Sequence, residues 1–176
     1  MEFIPVAISV IALLFSWKSF VVSKKALKIS QKDHDEKYKD ITPYLIRSVK
    51  YASKETSDKL VSFAVSYTNR ASIPNTFSKL ALEVTYFDEE GELHKVILIP
   101  EEIKENFWTE IKQLSIPLNI SAKTTISGWV GFKLPKALKQ NKRIDKYSLV
   151  ATTADDKKVI VESFLIKEIE NEDTSS

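Results

Sequence analysis

Apolar and polar residues alternate with a period of two over most of residues 43–166. Val61, Phe63 and Val65 would face one side of a strand, with Ser62 on the other side. Successive side chains of a β-strand point to opposite faces of its sheet, so this alternation is typical of strands with one buried face. The sequence therefore predicts a mainly β domain of about eight strands, at roughly 44–52, 60–69, 79–87, 93–99, 115–121, 126–134, 147–153 and 158–166.

Short polar segments separate these strands. Residues 88–91 and 154–157 are predicted to close hairpins, and residues 69–75 form a longer loop. Many short strands without a regular alternation of strands and helices favour an antiparallel β-sandwich. One short helix is predicted to interrupt the sandwich after Pro100, because acidic residues would then occupy its first turn, where the helix dipole favours them.

The N-terminal segment has a different pattern. Residues 3–15 carry no charged side chain. As a helix, residues 3–22 would be about 30 Å long, which matches the hydrocarbon core of a bilayer if Lys18 reaches toward the headgroups. A cleaved signal peptide would begin with basic residues, whereas Glu2 is acidic. The sequence therefore predicts a transmembrane helix over residues 1–22.

The remaining parts of the chain complete the predicted organisation. Residues 23–42 contain no proline or glycine and are mostly polar, which predicts a helical stalk that ends near Pro43. Residues 43–166 form the β-sandwich domain. Residues 167–176 are rich in acidic side chains and predict a disordered tail.

Charge predicts the orientation in the membrane. After residue 15 the first acidic residue is Asp33, and the lysines before it include Lys18, Lys24, Lys25 and Lys28. The positive-inside rule places such residues on the cytoplasmic side. We therefore expect a single-pass protein of the inner (plasma) membrane, with its N-terminus outside and its C-terminal domain in the cytoplasm. The same lysines would contact anionic lipid headgroups.

Small residues recur along the N-terminal helix at alternating spacings of three and four. They include Ser9, Ala12, Ser16, Ser19 and Ser23. Small side chains on one helix face allow close packing of helices in a bilayer. The 3.5-residue period favours a left-handed crossing. This stripe predicts packing against a second copy or against another membrane protein; chance is the alternative, since serine and alanine are common in such helices.

Catalytic and metal-binding chemistry is poorly represented. The chain has no cysteine and two histidines, His34 and His94, and it lacks a GxSxG motif. Residues 88–92 form the densest group of acidic side chains, but they lack the alternating ligands of a calcium loop and are better explained as a solvated turn. We therefore expect no enzymatic activity, no metal site and no cofactor.

A basic run lies between two of the predicted strands, and a short helix is predicted over residues 136–140. The run includes Lys136, Lys139, Lys142 and Arg143. These side chains could contact anionic lipid, or they could be a solvated loop. A net charge of +2 is too small to favour nucleic acid as a partner.

Four residues are candidates for contact with a protein partner: Asn69, Arg70, Asn75 and Trp129. Asn69 and Asn75 are also expected to order their loop through hydrogen bonds from side chain to backbone. Trp129 follows Gly128 in a predicted strand, where it could be either a core residue or an exposed anchor.

In layout, the chain resembles uncharacterised bacterial membrane proteins with one N-terminal transmembrane helix, a lysine-rich stalk and an immunoglobulin-like β-sandwich. The resemblance is carried by the segments FIPVAISVIALLFSWKSFVVSKKALKIS, VSYTNRASIPNTFSKLALEV and TTISGWVGFKLP. It implies that fold and no catalytic residues. The expected function is a membrane-anchored binding or scaffold module for a protein partner, for example an accessory subunit of a larger membrane or defence system. The alternative is a membrane-tethered sensor of a small molecule or of anionic lipid.

Overall fold

The computed structural model of the chain describes residues 3–52, 59–102, 111–135, 138, 143–164 and 166–169, with side chains from Ala12 onward. The chain divides into two units, Met1–Lys39 and Asp40–Ser176. The predicted helix at residues 136–140 lies outside the described residues, apart from Leu138. Most of the predicted helix after Pro100 and most of the acidic tail lie outside them as well.

The N-terminal unit is one helix, α1 (Phe3–Lys37). No proline or glycine follows Pro5 in this helix, and proline is tolerated in a first turn. His34 and Lys37 lie in the last turn, where the helix dipole favours positive charge. The predicted stalk is thus helical, but it ends at Lys37 because the chain enters its first strand at Ile41.

The structure does not support the prediction of a membrane-spanning helix over residues 1–22. Among the described residues, no helix is long and apolar enough to cross a membrane. The described side chains begin at Ala12, and from there Lys18 and the lysines that follow it interrupt the apolar sequence every few residues. The membrane anchor therefore remains a prediction from the sequence.

The second unit is mainly β. Its strands are β1 (Ile41–Ala52), β2 (Lys59–Asn69), β3 (Asn75–Phe87), β4 (Leu93–Leu98), β5 (Leu118–Ile120), β6 (Thr125–Lys133), β7 (Arg143–Thr153), β8 (Lys158–Ser163) and β9 (Lys167–Ile169). All eight predicted strands are present, with differences at their ends. The ninth, β9, lies where the sequence predicted the beginning of a disordered tail.

The strands form two sheets. The first has the order β6-β2-β1-β9, and the second has the order β4-β3-β7-β8, with β5 also paired to β3. Neighbouring strands are antiparallel except for β1 and β9, which are parallel, so the prediction of a wholly antiparallel sandwich is wrong at this pair. The parallel pair joins Val49, Lys50 and Tyr51 of β1 to Lys167, Glu168 and Ile169 of β9.

One hydrophobic core lies between the two sheets. It combines Phe63 and Phe132 of the first sheet with Leu82 and Leu149 of the second, and all four are buried. A smaller cluster on the other face of the first sheet contains Val49, Tyr51, Leu60, Ala64 and Trp129. The alternating pattern of the sequence therefore corresponds to burial between sheets, as predicted for a sandwich.

Glu101 does not begin a helix. Its backbone N–H donates to the carbonyl oxygen of Gly131 in β6 at 3.0 Å, and the two residues form an isolated β-bridge. The predicted helix therefore does not include the acidic residues directly after Pro100. Contact with the neighbouring strand, and not the helix dipole, determines the conformation at Glu101.

Candidate binding groove

The edge of β3 has a gap. On one side, β3 pairs with β7 from Phe77 to Phe87. On the other side, β4 pairs with residues 82–87 and β5 with residues 75–77. Within the described part of the chain, residues 78–81 consequently have no neighbouring strand on that second side.

The chain on either side of the gap leaves the edge of β3 at a proline. Pro100 follows β4, and Pro117 immediately precedes β5. Proline has no backbone N–H to donate to a neighbouring strand, so it is suited to positions where a strand ends or begins. Beyond Pro100 the chain crosses to β6 in the other sheet.

The segment at residues 112–114 forms one wall of the gap and is held against β6. The N–H of Leu114 donates to the oxygen of Trp129 at 2.8 Å, and the N–H of Trp129 donates to the oxygen of Lys112 at 3.0 Å. Gln113 also donates from Nε2 to the backbone oxygen of Glu101 at 3.1 Å, which connects this wall to the chain that leaves β4.

A groove of about 780 Å³ occupies this gap. It is lined by residues 79–81 of β3, residues 99–102 after β4 and residues 113–116. Leu80 and Leu114 are buried beside it, whereas Ile99 is 76% exposed. The volume falls within the range of pockets that bind small ligands, roughly 300–1,000 Å³.

The described lining of the groove is largely apolar, with a few charged side chains at its rim. The titratable side chains among its described lining residues are Lys79, Glu101 and Glu102, and all three are exposed. Nucleophilic catalysis requires a nucleophile activated by an adjacent base, and Ser115 has no imidazole beside it among these lining residues. An apolar surface with charged groups at its rim can hold a partner in position.

Asp88, Glu92 and His94 form a second polar cluster at the β3–β4 hairpin. Each has one potential ligand atom within 4.8 Å of those of the others. Oδ1 of Asp88 accepts the backbone N–H groups of Glu90 at 3.0 Å and Glu92 at 2.8 Å, and Oδ2 lies 2.6 Å from Nε2 of His94. The hydrogen bond from the backbone of Glu92, aided by His94, lowers the pKa of Asp88 below its ordinary value. These contacts close the turn between β3 and β4.

Of the four residues predicted to face a partner, only Arg70 is exposed. Asn69 is fully buried, and its side chain orders the loop as predicted, through Ile73 and Ala71. Asn75 is half-buried and accepts the N–H of Thr76. Trp129 is 3% exposed and belongs to the smaller cluster, so it is a core residue and not a surface anchor.

The predicted lipid contacts are distributed over both units. Lys18, Lys24, Lys25 and Lys28 are exposed along α1. Arg143 begins β7, and its guanidinium lies 4.6 Å from the ring centroid of Phe87, a cation–π contact. The other predicted lipid contacts, Lys136, Lys139 and Lys142, lie outside the described residues.

The small-residue stripe lies on one continuous helix, as its spacing requires. Ala12, Ser16, Ser19 and Ser23 are exposed along α1, and the side chain of Ser9 lies outside the described residues. The helix places residues three and four apart on the same face. Packing of this face against another helix remains a prediction.

Sequence reasoning missed the groove. Its walls come from three separate segments that meet only in the folded chain. The signal available in the sequence was the pair Pro100 and Pro117, each of which interrupts an apolar run.

Comparison with known proteins identifies no family. No family model matches the chain, and no curated protein does. Among solved structures, the chain is similar to one described as a "putative lipoprotein from Staphylococcus aureus subsp. aureus NCTC 8325", with 13% identity, a TM-score of 0.46 and coverage of 75% of this chain and 90% of that one. It is also similar to the "putative ApaA protein from Bordetella pertussis", with 14% identity, a TM-score of 0.35 and coverage of 73% and 94%.

Proposed function

We propose that this protein is a non-catalytic binding module that recognises a protein partner through the groove at the edge of β3. The observation that carries this proposal is an apolar opening at the edge of β3, with Ile99 exposed at its rim. Large exposed apolar side chains beside an open pocket are typical of binding surfaces. As part of this proposal, the module acts as a scaffold and could be an accessory subunit of a larger membrane or defence system.

We also propose that the fold is immunoglobulin-like. Strands β1, β2 and β6 share one sheet, and strands β3, β7 and β8 share the other. This division matches that of strands A, B, E and C, F, G in immunoglobulin-like sandwiches. Such sandwiches often bind their partners through their own loops or sheet edges. A binding site at the edge of β3 is consistent with this.

The binding proposal predicts a crosslink at Ile99. A photo-crosslinking amino acid placed at this position in the full chain, expressed in its host, should capture one main protein partner. The matched control is Ile160, which is 48% exposed on β8 at the opposite edge of the same sheet. Equal capture at both positions, or capture at neither, would contradict recognition through the groove.

The volume of the groove favours a second candidate function, the sensing of a small apolar molecule or a lipid. About 780 Å³ is sufficient for a ligand of that size. The same crosslinking experiment separates the two candidates. A small-molecule sensor would acquire the mass of a small ligand at Ile99, whereas a protein-binding module would acquire the mass of a protein.

We further propose that residues 3–22 anchor the protein in the inner membrane, with the β domain in the cytoplasm. The support is the uncharged sequence of residues 3–15 and the lysines that follow it. The exposed small-residue stripe of α1 would then pack against a second copy or against another membrane protein.

The anchor proposal predicts that the chain stays in the membrane fraction after alkaline carbonate extraction. Leu13→Lys should release it, because a charge at the centre of a membrane helix costs about 2.5–3.5 kcal/mol. Ile29→Lys, which lies beyond the apolar segment, is the control and should release nothing.

The native chain has no cysteine. A cysteine at exposed Lys158 should therefore react with an impermeant maleimide only after the cells are permeabilised; labelling of intact cells would refute the cytoplasmic orientation.

A further inference from the structure

We propose that the partner enters the groove as an extended peptide segment that adds to β3 as a short strand along residues 79–81. This inference rests on the proposed binding function and specifies the chemistry of the partner. The segment has an apolar side chain at its centre and a basic residue beside it. Three features of the groove support this occupant: its backbone edge, its floor and its rim.

The backbone edge offers hydrogen bonds. On the side of β3 away from the groove, β7 pairs in antiparallel register with Lys79, Leu80 and Ala81. In an antiparallel ladder, the N–H and C=O groups of successive residues point alternately to the two sides of the strand. At least one of these three residues therefore directs both its N–H and its C=O into the groove. Addition of an extended peptide is the standard way to satisfy such an edge.

The floor selects an apolar side chain. Leu80 points toward the core and is buried, whereas Lys79 is exposed and Ala81 is half-buried. An added strand would follow the same alternation. Its central side chain would point inward, toward the apolar surface formed by Leu80 and Leu114, and the residues on either side of it would lie beside Lys79 and Ala81.

The rim favours a basic neighbour. Its described charged side chains are the carboxylates of Glu101 and Glu102 and the ammonium of Lys79, so two negative charges face one positive charge and the net charge is −1. Opposite charge across an interface assists encounter and orientation more than it adds to affinity. A lysine or arginine beside the apolar anchor would complement this rim.

The length of the gap limits the segment. Five residue steps separate Phe77, the last position paired with β5, from Leu82, where pairing with β4 begins. At about 3.3 Å per residue, the gap is about 17 Å long. A contact of about three residues fits this space, and the peptide must enter and leave through the open face of the groove.

The experiment uses a fluorescent peptide, acetyl-Lys-Val-Leu-Val-Lys-amide, and the full chain in detergent, with binding measured by fluorescence anisotropy. The matched peptide carries N-methyl groups on the central leucine and the following valine. It keeps the charge and the apolar side chains but lacks the N–H donors of two successive residues, one of which would face β3, and the methyl group at that position would obstruct close approach to the strand edge. We expect the N-methylated peptide to bind at least tenfold more weakly. Ile99→Gln, which removes the apolar side chain without adding charge, and Ala81→Trp should each weaken binding of the unmodified peptide at least tenfold, and Ile160→Gln should leave it unchanged.

The outcomes separate this inference from the proposed function. Equal binding of both peptides would overturn strand addition but leave an apolar binding groove. Failure of the unmodified peptide to bind would overturn the inference, and a protein crosslink at Ile99 would still support the binding module. If Ala81→Trp does not fold, Ile99→Gln still tests the apolar rim, because its side chain is already exposed, and the N-methylated peptide tests strand addition on the unmodified chain.

Discussion

Replacement of Asn69 by alanine is expected to lower the free energy of unfolding by about 3 kcal/mol. Nδ2 of Asn69 lies 2.9 Å from the oxygen of Ile73 and 3.2 Å from the oxygens of both Ile120 and Ser121. Its Oδ1 accepts the N–H of Ala71 at 3.0 Å. Alanine would remove this partner from two buried backbone groups, the oxygen of Ile120 and the N–H of Ala71, and from two partly buried oxygens. A buried group left without a hydrogen bond costs about 1–3 kcal/mol.

The position of Asn69 explains why its loss should affect the whole domain. It ends β2 in the first sheet, whereas Ile120 ends β5 in the second sheet. The side chain therefore connects the two sheets as well as closing the loop between β2 and β3.

Chemical denaturation of the full chain measures the effect at Asn69. Asn119→Ala is the control, because the Asn119 side chain accepts an exposed hydrogen bond from Thr76 at 2.7 Å. A change within about 0.5 kcal/mol is expected there, as for most surface substitutions. If the two variants lose equal stability, the side chain of Asn69 does not connect the sheets in the way described.

Gly128→Ala is expected to destabilise the domain by about 1–3 kcal/mol and to disturb the wall of the groove. A Cβ added at Gly128 would collide with the side chain of Leu114 and would lie 2.8 Å from the backbone oxygen of Lys112. That oxygen accepts the N–H of Trp129. The wall segment can make room only by moving away from β6, at the cost of its backbone hydrogen bonds.

The measurement at Gly128 combines thermal unfolding with crosslinking at Ile99. We expect a lower melting temperature together with weaker capture of the partner, because Gln113 and Leu114 line the groove. Gly91→Ala is the control. Gly91 has a positive φ of 81° and nothing within 4 Å of an added Cβ, so its replacement costs about 1 kcal/mol of backbone strain and should leave capture unchanged. Normal capture by a stable Gly128→Ala variant would contradict this account of the wall.

The sequence by itself determined eight of the nine strands among the described residues, all except β9. The alternation of apolar residues such as Val61, Phe63 and Val65 indicates which side chains share one face of a strand and can be buried together. That grouping depends only on the two-residue period of a β-strand. The hairpin at Gly91 was also predictable, because its signal lies within a few adjacent residues. The expectation of a β-sandwich followed from these local signals, but the assignment of strands to the two sheets did not.

Only the tertiary structure decided which residues form a site. Asn69 meets Ile120 across 51 positions of sequence, and Trp129 is buried by residues of other strands, so neither role could be read from neighbouring residues. The groove likewise exists because β4 and β5 pair with β3 at two separate places and leave residues 78–81 uncovered. Strand pairing joins segments that are distant in the chain, and a single sequence carries the period of each strand but not the identity of its neighbours.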